Sequence, residues 1–131
     1  MKTIILLIAL SSVAYAQGSE WRPPQEMLYT SADKHSRALQ SLGLTKGMWT
    51  LVVVRPGCGD CERAAARIND SPRTVVLVDG DARAWGKKHR LIRARLVESS
   101  DSLRSLLGVL WLPTFIRVQN GRITGVRGTA P

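Results

Sequence analysis

The chain is short of several things, and each shortage narrows what it can be. It has two cysteines and two histidines in 131 residues. Two cysteines cannot build the multi-bridge scaffold on which small secreted domains without a core depend. A structural zinc site would need Cys58, Cys61, His35 and His89 together, and neither histidine has a finger-like spacing to the cysteines, so no metal is expected. A c-type haem attachment needs histidine directly after the second cysteine, where Glu62 stands. Aromatic residues are sparse, and none interleaves with the basic run Lys87-Lys88-His89-Arg90 or its continuation at Arg93 and Arg95. The stacking platform of a single-strand nucleic-acid binder is therefore missing, and nucleic acid is not expected as a partner. Acidic side chains number 10 against 19 basic ones, a net charge of +9. The plain reading is a solvated basic surface; attraction to an anionic membrane surface or an acidic protein is the sharper one. There is no repeat and no low-complexity tract.

Long apolar runs are also lacking, except at the start. Met1-Lys2 is positive, Thr3 to Val13 is almost wholly apolar, and Ala14-Tyr15-Ala16 is a small-x-small cleavage site. We read residues 1–16 as an export signal, 17–24 as a flexible polar leader and 25–131 as one domain, large enough for a single core. The apolar run is short for a membrane span, so none is expected after cleavage; an uncleaved anchor is the alternative. Export would place the protein in the periplasm of a bacterium, or outside the cell otherwise.

From Pro24 onward, Leu28, Ala32, His35, Leu39 and Leu42 recur at helical spacing, which predicts a helix over 25–42 stopped by Gly43. Trp49 to Val54 is a continuous β-branched run suited to a strand buried on both faces. Pro56-Gly57 breaks it, and a helix is expected from Cys58 to about Asn69. Thr74 to Val78 predicts a second buried strand, and Asp81 a capped helix to about His89. Ile92 to Val97 alternates like a half-exposed strand, and Ser99-Ser100-Asp101 offers caps for a helix ending at Gly108. Thr114 to Val118 and Arg122 to Val126 flank Asn120-Gly121, a hairpin turn. The order β-α-β-α-β-α-β-β implies an α/β layer with a parallel part and an antiparallel edge. Trp49 and Trp85 read as packing residues, His35 as packed and His89 as solvated.

Cys58 and Cys61 close almost no loop, so a bridge between them gains little from chain entropy and calls for another explanation. At the junction of a buried strand and a helix, the first cysteine meets unpaired N–H groups that favour a thiolate, the form that attacks disulfides. The second lies one turn inward and can resolve a mixed disulfide. Cys58 is thus the expected attacking thiol and Cys61 the resolving one, with a redox-inert disulfide as the alternative. No cofactor is expected beyond the Cys58–Cys61 disulfide itself.

The strand and motif Leu51-Val52-Val53-Val54-Arg55-Pro56-Gly57-Cys58-Gly59-Asp60-Cys61, followed by Gly108-Val109-Leu110-Trp111-Leu112-Pro113-Thr114-Phe115, resembles the thioredoxin superfamily. Asn120-Gly121-Arg122-Ile123 and Gly128 match that family's hairpin and trailing glycine, and the resemblance spans roughly residues 48–128. It implies a thioredoxin-like α/β fold, a central mixed sheet flanked by helices. It also implies a cis Pro113 facing the cysteines, and a substrate-binding role for Leu112, Pro113 and Thr114. Trp111 has two readings, lining the substrate groove or packing on the helix over 100–107. The implied activity is thiol–disulfide exchange with protein thiols and disulfides, served by an unidentified redox partner. A non-catalytic thioredoxin-fold adaptor that assists assembly of an envelope complex is the rival. Residues 81–89, with Leu112-Pro113 and Asn120-Gly121-Arg122, are also faintly similar to thioredoxin-like proteins of integrating conjugative elements. That would make an envelope secretion or pilus component the client.

The departures from the family pattern matter as much. The aromatic residue before the first cysteine is replaced by Gly57, and the family's buried acid falls on Val52. The dipeptide Gly59-Asp60 sits between the cysteines; Asp60 disfavours a neighbouring thiolate, and Arg55 and Arg63 offset it. Gly59, Asp60 and Arg55 are thus the expected tuning residues, and a reductant or isomerase is expected in preference to a strong oxidase. The chain also reads as lacking the family's final helix, which leaves one sheet face thinly covered.

Overall fold

The computed structural model describes residues 20–128, so the expected signal and the start of the leader lie outside it. Five strands form one mixed sheet: β1 (Met48–Val54), β2 (Thr74–Val78), β3 (Arg95–Glu98), β4 (Thr114–Gln119) and β5 (Arg122–Gly128), in the order β3-β2-β1-β4-β5. β1 runs parallel to β2, and β2 to β3; β4 and β5 are antiparallel additions on the other side of β1. The four helices are α1 (Ala32–Ser41), α2 (Gly59–Ala64), α3 (Ala82–Lys88) and α4 (Asp101–Leu107). This is an α/β, thioredoxin-like arrangement.

Side-chain alternation explains the two layers. Leu51, Val53, Val75, Leu77, Ile116 and Val118 point to one face, where Ala38 and Leu39 of α1 and Leu103 and Leu107 of α4 cover them. Val52, Val54, Val76, Val78 and Phe115 point to the other, against Cys61 and Ala64 of α2 and Ala82 and Trp85 of α3. Each fully buried aliphatic side chain contributes about 1.5–3 kcal/mol relative to leaving it in water. The β-branched runs are strands because only strands on this sheet can bury both of their faces. Trp85 is packed, as expected, at 2% exposure, whereas Trp49 is half-buried at the sheet's end with Arg73 over its ring.

The caps follow the sequence. Ser31, Asp81 and Ser100 accept N–H bonds at the starts of α1, α3 and α4. Gly108 ends α4 in the left-handed region at φ +64°, and Asn120-Gly121 turns the hairpin with both φ angles positive.

Three elements differ from expectation. The helix expected over 25–42 is a 3-10 turn at Pro24–Glu26 followed, after an extended stretch, by α1 from Ala32. Met27 and Leu28 instead enter the core, with Leu28 bridged to Val109. α2 stops at Ala64 and tightens into a 3-10 turn, and Ile68 then turns extended into the core. β3 begins at Arg95, not Ile92, because the Asp70 carboxylate takes the N–H groups of Ile92, Arg93 and Ala94. Donors spent on that carboxylate are not available to a ladder.

The leader expected over 17–24 is not free chain from Trp21 onward. Arg22 exchanges two backbone hydrogen bonds with Val126 of β5, at 2.7 and 2.8 Å. That bridge lays Trp21 across one face of β4 and β5; no helix follows β5 among the described residues. The indole packs over Gly125, with the guanidinium carbons of Arg117 and Arg127 at 4.8 and 4.7 Å from the ring centre. Trp21→Ala should lower the unfolding free energy by about 2 kcal/mol, two half-buried cation–π contacts plus the lost apolar area. Trp21→Phe should retain much of it. Urea unfolding measures both, and an unchanged midpoint for the alanine variant would mean that Trp21 does not cover this face.

Candidate functional site

The site forms where β1 ends. Pro56 and Gly57 turn the chain out of the sheet, and Gly57 does so at φ +83°, a conformation that strains any other residue. This gives a backbone reason for glycine where the family pattern has an aromatic residue. Cys58 then takes an extended conformation as the N-cap of α2, and its Sγ accepts the N–H of Cys61 at 3.3 Å. Both cysteines are free thiols; Cys58 is half-buried and Cys61 fully buried. Burial pushes the Cys61 thiol up to about 12, reinforced by its hydrogen bond with Cys58 and opposed by the Arg55 N–H, which donates to Cys61 Sγ at 3.4 Å.

Across from Cys58 lies the loop entering β4. The Leu112–Pro113 peptide is cis, and the Leu112 carbonyl oxygen is 4.0 Å from Cys58 Sγ, within reach of its S–H. Pro113 and Thr114 are buried, and the Thr114 hydroxyl donates to the Trp111 carbonyl. A Cβ on Gly128 would stand 2.7 Å from the Pro113 carbonyl oxygen, so β5 approaches this loop at a distance only glycine permits. Trp111 is 40% exposed and neither packs into the core nor lines the cleft described next.

Cys58, Arg55 and Leu112 share a cleft of about 680 Å³. Its apolar wall includes Leu107, Val109 and Leu110, and Asp79 and Arg104 sit in its polar part. Asp79 was legible only as a turn residue, yet it caps the carboxyl end of β2 and joins three elements. Arg55 Nε donates to it at 3.1 Å, and Arg104 of α4 donates to its other oxygen. The hydrogen bond from Arg55, with that from Arg104, holds the Asp79 carboxyl below the usual range although burial opposes this. The signal available in the sequence was position: in parallel sheets, functional groups collect at the carboxyl ends of strands.

Among the expected tuning residues, Asp60 is exposed and paired with Arg63, as the sequence reading has it. The Arg55 side chain does not face Asp60: it is engaged at Asp79, which corrects the expectation that it offsets Asp60. Gly59 has room for a Cβ, with Arg63 no closer than 3.5 Å.

Glu62, read only as the residue that excludes haem, holds the motif in place. Its carboxylate accepts the Gly57 N–H at 3.4 Å and Lys88 Nζ at 3.1 Å, and lies 2.8 Å from His89 Nε2. Burial pushes that carboxyl up, and the bonds from Lys88 and Gly57 outweigh it, leaving it below its usual range. His89, expected to be solvated, is largely covered, its ring 4.2 Å from that of Trp85. His35 is buried, as expected. Among the described residues no group of three His, Cys, Asp or Glu could hold a metal ion. No helix there is long and apolar enough to cross a membrane.

No family model matches the chain. No curated protein matches it. Among solved structures, the crystal structure of a DsbF homologue from Corynebacterium diphtheriae is similar, with a TM-score of 0.45 and 16% identity over 66% of this chain and 66% of that one. What the site can do is read from this chain's own residues.

Two outcomes follow. Brief alkylation of the reduced protein should label Cys58 and spare Cys61, because one thiol is accessible and the other is buried and held protonated; peptide mass spectrometry shows which. Asp79 is lowered in the folded state, so its stabilisation is complete above the ordinary aspartate pKa of about 3.9 and is lost as pH falls through the folded value. The stability gap between wild type and Asp79→Asn should therefore be widest at neutral pH and shrink in acid. A gap independent of pH in denaturant titrations would rule out the ion-pair origin.

Proposed function

We propose that the protein is an exported thiol–disulfide oxidoreductase whose redox pair is Cys58 and Cys61. The observation that carries the reading is their arrangement: an accessible sulfur in a cleft, one helical turn from a buried one, beside a peptide segment whose N–H and C=O are not taken by other backbone groups. Neither the N–H nor the C=O of Leu112 pairs with another backbone group among the described residues. They are therefore available to an extended client segment laid across Cys58.

In the reducing direction, the Cys58 thiolate attacks one sulfur of a client disulfide. A mixed disulfide forms, and the other client sulfur leaves as a thiolate. Cys61 then gives up its proton and attacks Cys58 Sγ, which closes the Cys58–Cys61 disulfide and releases the second client sulfur. Two electrons pass to the client, and a dithiol partner must return them. Strong oxidases in this chemistry owe their potential to a stabilised reduced form. Here Asp60 stands in the first turn of α2 and the Arg55 guanidinium is engaged at Asp79. This supports a reductant or isomerase over a strong oxidase. The faint likeness of residues 81–89 to proteins of conjugative elements points to clients among envelope secretion or pilus components.

Cys61→Ser should accumulate mixed disulfides with reduced-and-reoxidised model substrates, visible on non-reducing gels, and Cys58→Ser should not. Unreactive cysteines in both variants and in wild type would leave the adaptor reading. Equilibration with glutathione should give a couple more reducing than a strong oxidase. Asp60→His should make it less negative by roughly 30 mV, a tenfold change in the exchange constant.

A further inference from the structure

At the end of the sheet opposite the redox pair, the loop between α3 and β3 presents an apolar side chain with nothing to pack against. Ile92 is 86% exposed, the most exposed large hydrophobic residue of the described chain. Its exposure is imposed by its neighbours. Leu91 packs on the core and Ala94 is buried, so the loop is anchored on both sides of the tip. The Asp70 carboxylate takes the N–H of Ile92 at 3.0 Å and those of Arg93 and Ala94 at 2.8 Å each, which fixes the backbone between the anchors. Arg90 enters this loop at φ +56°.

Cations flank the tip. Arg90 and Arg93 bracket Leu91-Ile92, and Lys87 is exposed in the last turn of α3, just before the loop. None of these three forms an ion pair among the described residues; the neighbouring Lys88 is the one engaged, at Glu62. The acid beneath the loop is Asp70, whose oxygens are occupied by backbone N–H groups and which faces Arg93. Three cations thus stand against one carboxylate beside a single protruding aliphatic side chain.

We infer that this loop docks the protein on an anionic lipid bilayer, with Ile92 entering the headgroup–acyl boundary and Lys87, Arg90 and Arg93 meeting lipid phosphates. A bilayer accepts one apolar tip in a basic collar without shape complementarity. A stable protein interface needs about 800 Å² per partner around an apolar centre, and here that centre is one side chain on a convex loop. Docking has a geometrical consequence for the site described above. The parallel strands carry Cys58 and Asp79 at their carboxyl ends, and the loop feeds the amino end of β3. The tip and the cleft are therefore separated by roughly 17 Å of strand length, and the docked protein holds its cleft away from the bilayer. The inference stands independently of the redox reading, because Cys58→Ser should bind as wild type does.

Co-sedimentation of the full chain with vesicles of phosphatidylcholine alone, or of equimolar phosphatidylcholine and phosphatidylglycerol, tests it. Because the apolar Thr3–Val13 run is common to wild type and every variant, the anionic-to-neutral partition ratio is compared between them. Wild type should show a ratio well above one at low salt that falls as salt is raised. Arg90→Glu with Arg93→Glu should bring it close to one. Lys34→Glu with Arg37→Glu, the same charge change on α1 across the sheet, should lower it much less. Ile92→Ser should weaken anionic binding roughly tenfold with the circular dichroism spectrum unchanged. A wild-type ratio near one, equal losses in the two charge-reversal variants, or an Ile92→Ser variant that binds like wild type would overturn the inference. Binding to polyglutamate beads that needs Arg90 and Arg93, with no preference for anionic vesicles, would overturn it in favour of an acidic protein partner.

Discussion

Strand β1 lies between β2 and β4 with Leu51 and Val53 against one layer of helices and Val52 and Val54 against the other. A strand in that position packs Leu51 to Val54 into both cores, and a shift of register by one residue would disturb both. Everything at the candidate site is placed by it. Its parallel pairing with β2 brings Asp79 level with the end of β1, and its antiparallel pairing with β4 sets Val53 opposite Thr114. Two segments more than fifty residues apart in sequence, around Cys58 and around Pro113, thus meet at the same end of one strand.

How much of this was legible depended on whether the signal was local. The runs at 49–54 and 74–78 could only be buried strands, and the caps at Ser100, Asp81 and Gly108 and the turn at Asn120-Gly121 each follow from one or two residues' own chemistry. The cysteine pair and the Pro-Thr segment were legible as motifs. What escaped depends on partners far along the chain. The start of β3 is decided by Asp70, and the fate of residues 27–28 by Val109 across the fold. Asp79 between Arg55 and Arg104, and Glu62 between Gly57, Lys88 and His89, are arrangements of unremarkable surface-type residues that only folding brings together. Arg55 was correctly placed beside the cysteines but paired with the wrong carboxylate, because spacing along the chain cannot say which way a long side chain turns.

The distribution of charge about Cys58 and Cys61 has one theme. The interior position on β1 to which the thioredoxin pattern gives an acid is Val52 here, and Cys61 has Cys58 and the Arg55 N–H as polar neighbours. The carboxylates near the two cysteines are each matched by cations: Asp79 by two arginines, Asp60 by Arg63, Glu62 by Lys88. Within the cleft the charged groups are Arg55, Asp79, Asp101 and Arg104, beside an apolar wall that includes Leu107, Val109 and Leu110.

The bridge between Arg22 and Val126 carries a further meaning for how the molecule meets copies of itself. A terminal strand with a full row of open N–H and C=O groups is a template on which another chain can add, the first step towards swapped dimers and fibres. β5 is the terminal strand on its side of the sheet, and its middle is already taken by the chain's own beginning. The neighbouring Arg127, held against the rings of Trp21 and Phe115, adds positive charge to the same border. The opposite border, β3, is four residues long and ends on Arg95 and Glu98. The segment at 20–22 thus acts as a selvedge on the sheet, and a protein trimmed past it would be left with an unravelled hem.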